Sequence, residues 1–237
     1  MSFRAVLRPR FIVPLLATGI FPLTANSACS KDTSSFENTF FSDDFSETTL
    51  RAAWGSWKSE STDNDGALVG VTPSEADHPS VNSLSRRILP ISRSQSDTSS
   101  PDQTGSAVMF RDLPYKGSHA GHICHASISP TAVVLHDGKT GIAWKDIRDH
   151  RRAGAQLDEQ TKQMPATRAL RTPVSIDTAA WHTLLISIEA DHLRAWIEDA
   201  PAGDLQAPGI ALPTKSNMNI TTVDREAWYD DFQICTR

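Results

Sequence analysis

The chain has 237 residues, 39% of them hydrophobic and 22% charged, the make-up of a soluble globular protein with room for one sizeable core and little for two. Its formal net charge is −5, and Arg4, Arg8 and Arg10 all fall at the extreme N-terminus, so the remainder is more acidic still. That balance argues against nucleic acid and against an anionic membrane surface, since both need a basic patch.

The three arginines precede FIVPLLATGIFPLTA, an apolar run of signal-peptide length that is too short and too proline-interrupted to span a bilayer. Small residues at Ala25 and Ser27 predict cleavage near Ala28, so residues 1–28 read as the signal peptide of a secreted or periplasmic protein. Ser27-Ala28-Cys29 also matches the end of a lipoprotein box, with Asn26 where leucine is usual, and this leaves a lipid anchor at Cys29 as a second route. No other run is long enough for a transmembrane helix, so the mature chain is expected to carry none. Residues 29–40 form a polar tether, and a single domain is expected over 41–237.

From Phe41 the chain reads as short strands separated by turns. DDF (43–45), GALVGV (66–71), SVNSLSRRIL (80–89) and GSAVMFRDL (105–113) come first. GHICHASIS (121–129) and AVVLHDG (132–138) follow, split by Pro130, and TPVSI (172–176) precedes Asp177. The clearest unit is WHTLLISIEADHLRAWIED (181–199): Leu184, Ile186 and Ile188 share one face, the chain breaks at Ala190-Asp191, and Leu193, Ala195 and Ile197 then alternate with Arg194, Trp196 and Glu198. Two adjacent period-two runs predict a half-buried antiparallel hairpin. NMNITT (217–222) and WYDDFQICTR (228–237) close the chain. Two stretches break the rhythm, a polar loop at 92–104 and a charged excursion at 145–169 with room for a short helix near AQLDEQTKQM. Many short strands and few helix-period runs predict an all-β, two-sheet antiparallel sandwich.

Chemistry-bearing residues are few. His119, His122, Cys124 and His125 crowd into seven positions, but strand alternation puts His122 and Cys124 on one face, expected to point inward, and His125 on the other, expected to be exposed. His119 lies before the strand, so the three histidines are not expected to converge, and no metal site is expected. Asp43, Asp44, Asp230 and Asp231 read as strand-end residues. Clustered hard oxygens would otherwise suit a structural calcium ion, which stays open; no other cofactor is expected. DNDG at 63–66 reads as a plain turn. Cys124 and Cys235 either pair or remain two buried thiols. There is no Gly-x-Ser-x-Gly elbow, no phosphate loop and no His-Glu-x-x-His run.

The order of three pieces resembles the concanavalin A-like lectin/glucanase superfamily: FSDDFSETTLRAAWGSWKSESTDNDGALVG at the entry, AAWHTLLISIEADHLRAWIED as a central hairpin, and WYDDFQI as a last strand beside the first. HPSVNSLSRRILP, GHICHASISP and AAWHTLLISIE further resemble a group of exported bacterial proteins, planctomycete-type, described as laminin-G-like or related to 3-keto-disaccharide hydrolases. The resemblance implies a jelly-roll sandwich and a carbohydrate partner. The chain departs from it in lacking both the Glu-x-Asp-x-x-Glu strand of family 16 glucanases and the Gly-Tyr-Glu-x-Gln stretch of the keto-sugar enzymes.

The expected function is therefore an exported carbohydrate-binding or carbohydrate-processing module with its ligand on the concave face. The alternatives are a structural or adhesion-type envelope protein, and a glycosidase-like hydrolase of keto- or acidic sugars. Four residues are the expected ligand contacts: His78 opening the SVNSLSRRIL strand and Arg87 carried on it, His122, and Trp144 at the start of the charged excursion. An aromatic face, a guanidinium fork and two imidazoles able to exchange protons near neutral pH would suit an acidic sugar. The other tryptophans, Trp54, Trp57, Trp181 and Trp228, are expected in packing roles.

Overall fold

A computed structural model describes residues 38–47, 53–84, 105–141, 143–144, 149, 153–154, 159, 167–223 and 226–236. The leader, Cys29, Arg87, loop 92–104 and most of the excursion 145–169 lie outside the described residues. The strands are β1 (Asn38–Asp43), β2 (Trp54–Trp57), β3 (Thr62–Asn64), β4 (Ala67–Val71), β5 (Ser80–Leu84), β6 (Gly105–Arg111), β7 (His122–Ser129), β8 (Ala132–Asp137), β9 (Ala169–Pro173), β10 (Leu184–Glu189), β11 (His192–Ile197), β12 (Ala200–Gln206), β13 (Asn217–Val223), β14 (Glu226–Tyr229) and β15 (Phe232–Thr236).

One layer is a seven-stranded antiparallel sheet in the order β2-β5-β13-β6-β7-β8-β9. The other comprises the sheets β14-β4-β3, β1-β15 and β10-β11-β12. Period-two alternation aims Val108 and Phe110 of β6, Cys124, Ala126 and Ile128 of β7, Val133 and Leu135 of β8, and Met218 and Ile220 of β13 at one shared core. Leu184, Ile186, Ile188, Leu193 and Ala195 of the β10-β11 hairpin join that same core. The predicted break at Ala190-Asp191 is the turn of that hairpin. Burying one face of each sheet against the other is what makes two half-apolar sheets stable together.

The first and last strands pair, with Asp43 opposite Phe232. Asp43 is not a solvated strand end, however. It is buried and accepts from Trp54 Nε1 at 2.9 Å and from the Phe45 amide at 3.1 Å. Trp54 in turn sits edge-on to Phe232, ring centroids 5.2 Å apart. DNDG is a turn: Asp65 (φ 57°) and Gly66 (φ 79°) link β3 to β4, and two successive left-handed residues are what a two-residue hairpin loop requires.

Four expectations need correction. β1 begins at Asn38, inside the expected tether, and β9 begins at Ala169, at the end of the charged excursion, reaching only Thr172 and Pro173 of the expected TPVSI strand. β12 was not anticipated, because Pro201 and Gly203 dilute the strand signal and are tolerated on this sheet edge. Cys235 is disulfide-bonded whereas Cys124 is free and buried, so the two neither pair with each other nor form two thiols. Among the described residues no helix is long and apolar enough to cross a membrane.

Candidate binding face

The face of the seven-stranded sheet that points away from the core carries the unusual side chains. Strand register lays them out in rows. Gly55, Ser83, Asn219, Met109, His125, His136 and Ala169 stand opposite one another across all seven strands. A parallel row runs Trp57, Val81, Thr221, Ala107, Ser127, Val134 and Arg171. On the other side of the first row lie Asn217, Arg111 and His122. None of the described strand residues on this face is Asp or Glu.

His122 reaches this face because β7 is bulged. Phe110 pairs with Cys124 and Arg111 with His122, leaving Ile123 as an extra residue on β7. Ile123 turns into the core, where it is fully buried. The expected inward placing of His122 is therefore wrong: simple alternation fails at the one residue the ladder skips. The turn before β7 has an equally firm cause. Gly121 takes φ 71°, and a Cβ there would lie 2.2 Å from the Asp112 carbonyl oxygen, so a side chain is excluded on both counts. This turn aims the Ala120 carbonyl at Arg111, whose Nε donates to it at 2.9 Å.

The histidines do meet, in two pairs. His119 lies edge-on to His122, ring centroids 5.3 Å apart. His125 stacks on His136 at 4.2 Å with the rings 16° from parallel. His125 is not exposed as expected: Met109 and His136 flank it in register, and its Nδ1 is buried with no hydrogen-bond partner. Burial, then the Arg111 charge, then that of His78 push His122 down to about 4. Burial first, then His136 and His122, holds His125 well below the ordinary histidine value, and burial lowers His136. These imidazoles are neutral at pH 7, so the expected proton exchange near neutrality does not fit His122.

Arg111 is half-buried, and desolvation disfavours its charge. The Asn219 amide is satisfied when its oxygen accepts from Arg111 Nη1 at 3.1 Å and its nitrogen donates to Ser83 Oγ at 2.9 Å and Asn217 Oδ1 at 2.8 Å. Arg111 is thus clamped at Nε and Nη1, and it makes no ion pair with a described carboxylate.

Trp57 is 50% exposed, contrary to the packing role expected for it. The His78 ring stands edge-on to it at 4.7 Å, and His78 Nδ1 is 2.7 Å from the Pro79 carbonyl oxygen. Lys58 lies over the Trp57 ring at 5.2 Å and is paired with Asp77, which ties the segment before β5 to β2. Of the expected contacts, then, His78 sits against Trp57 of β2 and His122 stands on β7, with β5, β13 and β6 between those two strands. Trp144 is half-buried and forms an isolated bridge with Ser118, while the His119 amide donates to the Ala143 carbonyl at 2.7 Å. Ala143 and Trp144, which lead into the excursion, thereby abut the turn that carries His119. Arg87 lies outside the described residues. Arg111, Trp57 and His136 were missed. Arg111 was recoverable, since Val108 and Phe110 alternate with it and mark its face as the outer one.

Solved structures share this architecture. The laminarinase from Rhodothermus marinus superposes with a TM-score of 0.58 at 11% identity, over 85% of this chain and 97% of that one. The Bacillus licheniformis beta-glucanase gives 0.54 at 10% identity, over 85% and 99%. The carbohydrate-binding module CBM66 from Bacillus subtilis gives 0.50 at 13% identity, over 78% and 96%. This chain has the concanavalin A-like jelly-roll fold. No protein-family model matches the sequence, and no curated protein is similar to it. At such identities the concanavalin A-like likeness extends to the fold alone, and function must be argued from the site.

Proposed function

We propose that this concanavalin A-like domain is an exported carbohydrate-binding module whose ligand lies on the outer face of the seven-stranded sheet. The observation that carries the reading is Trp57, a half-exposed indole on a face that also carries Ser83, Asn219, Thr221, Arg111 and His122. Sugar rings stack on flat aromatic surfaces while polar groups on the same face take the hydroxyls, and Ser83, Asn219 and His122 are such groups here. The structures of the same fold lend support, being a carbohydrate binding module, a laminarinase and a beta-glucanase. Binding is favoured over hydrolysis because glycoside hydrolysis requires two carboxylates about the scissile bond, and the described strands of this face offer none. Export rests on the N-terminal leader read from the sequence.

An oligosaccharide array probed with the mature protein tests this. Binding is expected in the wild type and to fall about tenfold or more in Trp57→Ala, since a buried stacking contact contributes on the order of 1–2 kcal/mol. Equal saccharide binding by both proteins would remove the face from consideration. Absence of any saccharide binding would favour an envelope-structural role.

A further inference from the structure

We propose that the ligand is an acidic saccharide whose anionic group sits on Arg111; this rests on the binding-face reading above. A half-buried guanidinium ordinarily recovers its lost hydration from a carboxylate. Arg111 has lost solvent but has no such partner among the described residues. It is also held in place. Its Nε is fixed by the Ala120 carbonyl and its Nη1 by the Asn219 oxygen, while Asn219 is itself oriented by Ser83 and Asn217. The structure gives Nη2 no protein acceptor among the described residues. A clamped guanidinium with a free edge is preorganised for a planar or tetrahedral oxyanion, because little rotamer freedom remains to be lost.

The surroundings fit that ligand. No described strand residue of the face carries a negative charge to compete for Arg111, although the whole chain is net acidic at −5. A cationic position without a carboxylate beside it on an acidic protein discriminates by location: an anionic ligand is repelled from much of the surface and accepted here. Next to Arg111, His122 presents a neutral ring that can exchange hydrogen bonds with hydroxyls without adding charge. Trp57 and His78, three strands across the sheet from Arg111, supply a stacking surface for another ring of the same oligosaccharide. Arg171, exposed at the opposite sheet edge, offers a second cation to a longer acidic chain. Uronate carboxylates and sulfate esters share this recognition chemistry.

The test is titration calorimetry of the mature protein with an oligogalacturonate, a sulfated oligosaccharide and a neutral oligosaccharide of matched length, using wild type, Arg111→Gln, Arg111→Lys and Trp57→Ala. The wild type is expected to bind at least one acidic ligand about tenfold to a hundredfold more tightly than the neutral one, the range for hydrogen bonds to a charged group. Arg111→Gln should abolish that preference, and Arg111→Lys should retain only part of it. Which acidic ligand responds distinguishes carboxylate from sulfate. Equal or tighter binding of the neutral ligand, sensitive to Trp57→Ala but not to Arg111→Gln, would overturn the acidic inference and leave the binding face standing. No binding of any of the three would overturn both. A thermal melt of each variant separates lost contacts from lost fold.

Discussion

Arg111 on β6 stands opposite His122 on β7 only because Ile123 is bulged out of the ladder and into the core. One extra residue thus gathers an arginine and a histidine on a surface that plain alternation would have separated. The turn at His119–Gly121 completes the arrangement by presenting the Ala120 carbonyl to Arg111.

Gly121→Ala should therefore damage both stability and site. The left-handed backbone and the Asp112 carbonyl each oppose a Cβ, and the expected loss is about 2 kcal/mol or more. Urea denaturation measures it, and a midpoint unchanged from wild type would mean that the turn is not held as described.

His125→Ala should cost on the order of 2 kcal/mol, because it opens a cavity beside Met109 and His136. His125→Phe should be close to neutral or stabilising. It keeps the ring stack and removes a buried nitrogen that has no partner. The same denaturation series discriminates: an alanine variant as stable as wild type would restore the expectation of an exposed strand position.

Stability should fall on acidification from pH 7 to pH 5. His122, His125 and His136 all have folded values below the ordinary histidine value, so below about pH 6.5 the unfolded chain binds protons that the folded one refuses. For His122, lowered to about 4, the loss at pH 5 is on the order of 1–2 kcal/mol. It should shrink in His122→Gln and in His125→Phe. Denaturant midpoints at the two pH values provide the check, and equal midpoints in the wild type would contradict it.

Cys124 should resist alkylation in the folded protein. Burial pushes its thiol up to about 12, leaving almost no thiolate at pH 8. Mass spectrometry after iodoacetamide should find Cys124 modified only once the chain is unfolded, and Cys235 only after reduction as well. Fast labelling of Cys124 in the native state would be inconsistent with its core position.

Much of the fold was legible because it is written in period-two alternation. The β10-β11 hairpin and the Pro130 break between β7 and β8 follow from patterns of apolar residues and turns, and the pairing of the first and last strands is what the concanavalin A-like resemblance implied. The site was less so. The bulge at Ile123 has no local composition signal, since isoleucine suits a regular strand equally well, and it reversed the facing of His122. Trp57 was indistinguishable from the core residue Trp54 three positions earlier until the strand between them fixed opposite faces. His125 was assigned the right face but the wrong exposure, because its burial comes from Met109 and His136 on neighbouring strands, and cross-strand register is not visible along one segment.

The central claim is that carbohydrate lies across the outer face of the seven-stranded sheet. Amide and indole chemical shifts followed by NMR during titration with the tightest-binding oligosaccharide test it most directly. Perturbations are expected at Trp57, Met109, Arg111, His122 and Asn219, with the β10-β11-β12 sheet unaffected. Perturbations centred on β10-β11-β12, with Trp57 and Arg111 silent, would contradict the account.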